Sequence, residues 1–184
     1  MGGSTGIRAS AQTSERTVTP GGLPAGSAAE TLHQMQATSL RVLIADDHPQ
    51  FRRDLREDLE RGGIEVCAEA GTGAEAIAAA LRERPDLCLL DVRMPGDGIA
   101  AARAIRRALP AVKVILVTAA PDEDGVLAAA HAGAHGYLAK DVNPRRLPQI
   151  VRAVAGGETA YPRSLLGALL RSLTQELAGQ RLET

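Results

Sequence analysis

The chain contains no tryptophan and only three aromatic residues, Phe51, Tyr137 and Tyr161, among 184. Its core must therefore be built from alanine, leucine, valine and isoleucine. Cysteine is nearly as scarce. Cys67 and Cys88 both sit inside short apolar runs, where a small buried hydrophobe is the expected role and a disulfide framework is excluded. No apolar stretch approaches the ~20 residues a transmembrane helix requires, and the N-terminus lacks the apolar segment of a secretory signal. A cytoplasmic protein with no membrane partner is expected. Neither sign of charge dominates, with 21 Lys and Arg against 22 Asp and Glu, so nothing in the net charge draws nucleic acid or an anionic surface. What is present, 45% hydrophobic and 23% charged residues, suits one ordinary domain with extensions.

Three segments follow from the composition along the chain. Residues 1–39 are rich in Gly, Ser, Thr, Ala and Pro without periodicity and are expected to form a disordered tail. Met35, just ahead of the first strand-like run, is a candidate internal start. Residues 40–156 alternate strand and helix five times. The helical stripes expected to face the core are Phe51, Leu55 and Leu59; Ile77, Ala78 and Leu81; Ala102, Ile105 and Leu109; Val126, Leu127 and Ala130; and Leu147, Ile150, Val151 and Val154. The strands are continuous apolar runs, the pattern of a parallel sheet covered on both faces. Residues 157–184 are expected to hold a linker and one amphipathic helix, capped by Ser164, with Leu166, Leu169, Leu170, Leu173 and Leu177 on one stripe. That stripe has two readings: packing on its own domain, or a dimerising or signalling helix.

The polar residues at the ends of the strand-like runs carry the chemistry. Val42-Leu43-Ile44-Ala45 leads to Asp46 and Asp47, Leu87-Cys88-Leu89-Leu90 to Asp91, Val114-Ile115-Leu116-Val117 to Thr118, and Gly136-Tyr137-Leu138-Ala139 to Lys140. Ligand sites of open parallel sheets lie at these C-terminal ends. Taken singly, each residue has a plain structural role: the paired acids could cap the helix opened by Pro49, Thr118 could be a strand-end hydroxyl, and Lys140 a solvated lysine. Together, three carboxylates on neighbouring strands repel one another unless a cation neutralises them. Oxygen-only ligands favour Mg²⁺ over zinc or copper. His48, His131 and His135 lack metal-ligand spacing and are placed outside the site.

Asp46-Asp47, Asp91, Thr118 and Lys140, with Tyr137 three residues before the lysine, resemble the site of the response-regulator receiver domain of two-component systems. Lys140-Asp141 and the run Ala153-Val154-Ala155-Gly156-Gly157-Glu158 narrow the resemblance to the NarL/FixJ (LuxR-type) subgroup. The resemblance implies a flavodoxin-like (CheY-like) α/β fold, a five-stranded parallel sheet of order 2-1-3-4-5, here with an additional C-terminal helix. It implies that Asp91 is the phosphoacceptor and that Asp46, Asp47, Asp91 and the backbone carbonyl of Arg93 hold Mg²⁺. Thr118 and Lys140 would meet the phosphoryl oxygens, and Thr118 with Tyr137 would form the switch. A cognate histidine kinase is the implied donor, with homodimerisation on phosphorylation and changed contacts through the fourth helix, fifth strand and fifth helix.

One departure from the family pattern stands out. Where MPGMDG or MPxxDG is common, this chain reads Met94-Pro95-Gly96-Asp97-Gly98, one residue shorter, so a tighter turn is expected. A haloacid-dehalogenase-like phosphatase is the competing enzyme class. It needs an acid two positions after the nucleophile, where this chain has Arg93, so no turnover of an external substrate is expected. Between Gly157 and Thr184 there is room for one helix, and Arg163, Arg171 and Arg181 balance Glu158, Glu176 and Glu183. DNA is thus a partner only if a C-terminal helix-turn-helix is missing from this chain; a stand-alone receiver acting on another protein is the alternative. In the order 2-1-3-4-5, Cys67 and Cys88 are separated by a strand, roughly 9–10 Å over two strand spacings, beyond the ~7 Å reach of a disulfide.

Overall fold

The computed structural model describes residues 39–180; the expectations for the N-terminal tail and Met35 fall outside them. Five parallel strands, β1 (Arg41–Ala45), β2 (Glu65–Ala70), β3 (Leu87–Asp91), β4 (Lys113–Thr118) and β5 (Gly136–Ala139), form one sheet of order β2-β1-β3-β4-β5. Helices α1 (Pro49–Arg61), α2 (Gly73–Glu83), α3 (Gly98–Ala108), α4 (Glu123–His131) and α5 (Leu147–Ala155) alternate with them, and α6 (Leu166–Gln180) follows a short 3₁₀ turn at Arg163–Leu165. No helix among the described residues is long and apolar enough to cross a membrane.

Strand alternation explains why the runs carry no polar face. Val42, Ile44, Leu87, Leu89, Ile115 and Val117 pack with Leu55 and Leu59 of α1 and with Leu147, Val151 and Val154 of α5. Leu43, Ala45, Cys88, Leu90, Val114 and Leu116 face α2, α3 and α4 on the other side. Successive side chains point to opposite faces, and here both faces are dry. Complete burial of one Leu, Ile or Val contributes roughly 1.5–3 kcal/mol, which is how a core with so few aromatics is sustained.

The second helix packs differently from its expected stripe. Ala78 and Leu81 are exposed, Leu81 at 48%, and Ile77 is half-buried, whereas Gly73, Ala76, Ala79 and Ala80 face inward. The cause is close approach: a Cβ on Gly73 would lie 2.7 Å from the Gly96 carbonyl oxygen. Small residues let α2 sit against the start of α3. Its first turn is tied at both ends: the Thr72 hydroxyl caps it by accepting from Glu75 N (3.2 Å), and the Glu75 carboxylate reaches back past the cap to accept from Gly71 N (2.7 Å).

The C-terminal helix also departs from its expected face. It begins at Leu166, with Ser164 exposed inside the preceding 3₁₀ turn and not acting as its cap. Ala168 is buried and Leu165 and Leu169 pack on the core, while Leu166 and Leu170 are exposed at 41% and 66%. The helix lies along α4, with Arg171 paired to Glu123 at 3.2 Å, so packing on its own domain is the observed arrangement. The side chains of Leu173 and Leu177 lie outside the described set. Ahead of this helix, Ala160 extends the free edge of β5: Tyr137 N donates to Ala160 O (2.8 Å) and Ala160 N to His135 O (2.9 Å).

Both thiols are free, as the strand order requires. Cys67 falls at a register shift in β2, between the partners of Val42 and Leu43, and its thiol donates to Val42 O (3.4 Å). Burial pushes the Cys88 thiol up to about 12, so it stays protonated and inert.

His135 has a structural role at the start of β5. Its Nδ1 accepts from Val114 N at 3.3 Å, which requires an unprotonated nitrogen. Burial, with Arg106 and Lys113 nearby, pushes the ring down from 6.5 to about 4. Between those values the folded state binds fewer protons than the unfolded one, so stability rises with pH across the window and is lost as pH falls from about 6.5 to about 4. Partial exposure screens the effect to on the order of 1 kcal/mol. Urea melts at pH 7 and pH 4.5 should therefore show a smaller acid loss in His135→Asn than in wild type; an equal loss would assign the acid sensitivity elsewhere.

Candidate functional site

The sheet's C-terminal edge gathers the polar strand ends. Asp46, Asp91 and Thr118 are at most 3% exposed and are the buried polar or charged residues among those described. Such burial is tolerated only with partners. Lys140, arriving on the turn after β5, places its ammonium 2.6 Å from one Asp46 oxygen and 3.2 Å from one Asp91 oxygen. It also lies over the Phe51 ring, 4.8 Å from the centroid, a contact that fixes the lysine's stem as well as its charge. Burial works against the ammonium, yet the two carboxylates hold its pKa above the usual lysine value.

Asp91 is held under tension of a different kind. Burial raises its pKa, and the neighbouring Asp46 charge raises it further, against the opposing pull of Lys140 and of a hydrogen bond from the Arg93 backbone. Asp46, Asp47 and Asp91 carry three negative charges and Lys140 one positive, leaving two negative charges at one sheet edge. Asp46, Asp47, His48 and Asp91 each present a ligand atom, all within 4.8 Å of one another. A divalent cation fits both the charge and the hard oxygen donors.

Neither acid of the Asp46-Asp47 pair caps α1. The N-cap position is His48, which makes no side-chain capping bond; instead Asp46 Oδ1 accepts from His48 N (2.9 Å). The sequence spacing gives His48 no place in the site, but its Nδ1 lies 3.1 Å from Asp46 Oδ1 and 2.7 Å from Asp47 Oδ1. The turn before α1 folds the ring back over the acids, a proximity that ligand spacing along one element does not reveal.

The short turn after Asp91 is built from two consecutive residues of positive φ, Gly96 (φ 87°) and Asp97 (φ 58°). Asp97, with ψ 111°, lies outside the left-handed helical well, and its carboxylate caps α3, accepting from Ile99 N (2.8 Å) and Ala100 N (3.3 Å). Arg93 is exposed, so no acid stands where a haloacid dehalogenase would need one.

Thr118 ends β4, and its hydroxyl accepts from Ala120 N at 3.3 Å. Tyr137 lies with its ring inward, 1% exposed. Burial raises the phenol's pKa and the Asp122 carboxylate adds to that, while hydrogen bonds with the Asp122 backbone and then with the Thr118 side chain oppose it. The structure therefore joins Thr118 to Tyr137 and Lys140 to Asp46 and Asp91. His131 and His135 lie at the far end of α4 from these groups.

Comparison with known proteins identifies related chains. The family described as the response regulator receiver domain matches residues 42–152. The nitrate/nitrite response regulator protein NarP of Escherichia coli K12 is 42% identical over 128 residues, covering 68% of this chain and 60% of NarP. The DNA-binding transcriptional activator DevR/DosR of Mycobacterium tuberculosis is 34% identical over 136 residues, covering 73% of this chain and 63% of that protein. The chain thus spans less than two thirds of the length of either. Among solved structures, a LuxR-family two-component response regulator from Aurantimonas sp. SI85-9A1 aligns with a TM-score of 0.67 at 30% identity, over 74% of this chain and 99% of that one. The non-phosphorylated receiver domain of the stress response regulator RcsB from Escherichia coli aligns with a TM-score of 0.61 at 27% identity, over 68% and 99%.

Proposed function

Because the chain belongs to the response regulator receiver family, we propose that residues 40–156 accept a phosphoryl group on Asp91 from a histidine kinase and thereby change their association through α4, β5 and α5, in transcriptional control. The observation that carries this reading is the convergence of Lys140 on both buried carboxylates, 2.6 Å from Asp46 and 3.2 Å from Asp91. A carboxylate oxygen of Asp91 would attack phosphorus while the bond from phosphorus to the donor nitrogen breaks, its electron pair leaving with the imidazole. Lys140 would meet a phosphoryl oxygen as a point charge, and the Thr118 hydroxyl would donate to another.

Asp46, Asp47 and Asp91, with the Arg93 carbonyl, would hold Mg²⁺. When bound, the ion supplies positive charge to the nucleophile and to the phosphoryl oxygens. His48 lies against the same acids and would have to yield some of its contacts. The output reading rests on Tyr137, which bonds the Thr118 side chain and the Asp122 backbone and lies in one core cluster with Val126 and Ala129 of α4. Drawing Thr118 toward a phosphoryl group changes what Tyr137 can bond, and the ring carries that difference to the outer face of α4 and β5. DNA binding belongs to this proposal only where a helix-turn-helix accompanies these residues. Output through another protein is the second reading.

Sedimentation with and without beryllofluoride and Mg²⁺ tests the switch. Wild type should change its association constant by roughly five- to a hundredfold, and Tyr137→Ala should respond less. A chain ending at Pro162 keeps the Ala160 pairing on β5 and removes α6; a normal response there would make α6 a packed extension. No change in wild type, in self-association or in affinity for the kinase, would defeat the proposal.

A further inference from the structure

We infer that Gly125 forms the slot that receives the Tyr137 hydroxyl, and that the absence of a side chain at 125 decides whether this ring lies inside the domain or at its surface. The inference rests on the reading of Tyr137 as the switch residue. A Cβ built on Gly125 would stand 2.1 Å from Tyr137 Oη and 3.0 Å from Cζ, and 2.8 Å from Asp122 Oδ1. A real Cβ essentially never stands within 3.0 Å of such atoms, so one side must move.

The surroundings determine which side moves. Gly125 is in the first turn of α4, where its N–H donates to the capping Asp122 carboxylate at 2.7 Å. Shifting this turn would break the cap. The Tyr137 backbone is equally fixed, paired with β4 on one side (Leu116 opposite Tyr137) and bonded through its N–H to Ala160 O on the other. What can move is the ring, by rotation about its side-chain torsions at the loss of its hydrogen bonds with the Asp122 backbone and the Thr118 side chain; the remaining contact, with Asp122 Oδ1, is to the end of a side chain that can shift by a few tenths of an ångström. Glycine is a poor helix former, so its presence in this turn is better explained by the ring it admits than by the helix it joins. Gly125 is thus a positioning residue: it acts through Tyr137 and touches none of the groups around Asp91.

The chain has two tyrosines, so 3-fluorotyrosine labelling yields two fluorine environments, and Tyr137→Phe assigns them. With a soluble gadolinium chelate as probe, the Tyr137 signal of wild type should be protected. In Gly125→Ala its relaxation by the chelate should rise several-fold while the Tyr161 signal stays unchanged. Protection equal to wild type in a folded Gly125→Ala would overturn the inference. Should Gly125→Ala fail to fold, Gly125→Ala/Tyr137→Leu decides: recovery of the fold supports the slot, and continued failure overturns it. Beryllofluoride with Mg²⁺ then separates the two readings. If the ring is expelled and the association response is weakened, both stand. If the ring is expelled and the response is untouched, the slot stands and Tyr137 is not the switch.

Discussion

Wild-type protein given acetyl phosphate and Mg²⁺ should take up one phosphoryl group, and Asp91→Asn should take up none. The neighbouring acids are poor substitutes. One Asp46 oxygen is held by Lys140 at 2.6 Å and the other accepts from His48 N at 2.9 Å. Asp47 is exposed, without the lysine contact that Asp91 has. An uncharged amide at 91 removes the nucleophile while preserving shape, so initial labelling should fall by about a thousandfold or more. The variant should still fold. Burial and the Asp46 charge raise the Asp91 pKa, so in the folded state the ionised form is disfavoured and stability falls as pH rises through the window just above the usual carboxylate range. Removing that charge should leave the metal-free variant melting at or above the wild-type temperature at neutral pH, where Asp91 is ionised in the unfolded chain. Labelling to the wild-type extent, or a phosphoryl group mapped by peptide mass to Asp46 or Asp47, would reassign the nucleophile.

The parts of this fold that could be read before any coordinates were those in which burial follows residue size. Val42 to Ala45, Leu87 to Leu90 and Val114 to Val117 are continuous apolar runs because helices cover both faces, and each announces its strand and the polar residue at its end. Where small residues do the packing, size misleads. The face of α2 toward the core is Gly73, Ala76, Ala79 and Ala80, and the larger Leu81 is left 48% exposed. Close approach between α2 and the turn at Gly96 selects alanine and glycine, and hydrophobic periodicity does not see distance. In α6 the same holds in part: Ala168 is buried and Leu169 of the expected stripe packs on the core, while Leu166 and Leu170 stay exposed.

Within the candidate site, Asp46, Asp47, Asp91, Thr118 and Lys140 were legible because each ends or directly follows an apolar strand run. His48 was not, since its approach to both acids depends on a backbone turn and not on helical or strand spacing. Nor could the inward ring of Tyr137 or the need for glycine at 125 be seen, because a rotamer and its clearance are properties of packed atoms. The short Gly96-Asp97 turn is an intermediate case. A missing residue signalled a tighter path, but only the backbone angles identify two residues of positive φ in succession as the means.

Gly98→Ala should be among the most damaging single-methyl changes in the domain, and it should act on the nucleophile itself. A Cβ at 98 would lie 1.9 Å from the Asp91 carbonyl oxygen, 2.8 Å from its carbonyl carbon and 3.1 Å from Val92 Cα. All three are main-chain atoms, so no flexible side chain can give way. That stretch of main chain is held from the other side as well, since Val92 N donates to Val117 O on β4 at 2.8 Å, and Gly98 N donates to Val92 O at 3.2 Å. The methyl must therefore push the start of α3 outward or displace Asp91 from Lys140. Overpacking of this kind costs about 3 kcal/mol. A displacement of about 1 Å at a reacting group can lower its rate about a hundredfold. Gly156→Ala is the matching control, because the nearest atoms to its Cβ are carbonyl oxygens at 3.4 Å and its φ of −73° suits alanine; it should stay within about 0.5 kcal/mol of wild type. Urea melts and acetyl phosphate labelling of the three proteins, the latter at a temperature where all are folded, measure both effects. A Gly98→Ala protein as stable as Gly156→Ala and labelled at the wild-type rate would show that the contact between α3 and the end of β3 is looser than these distances require.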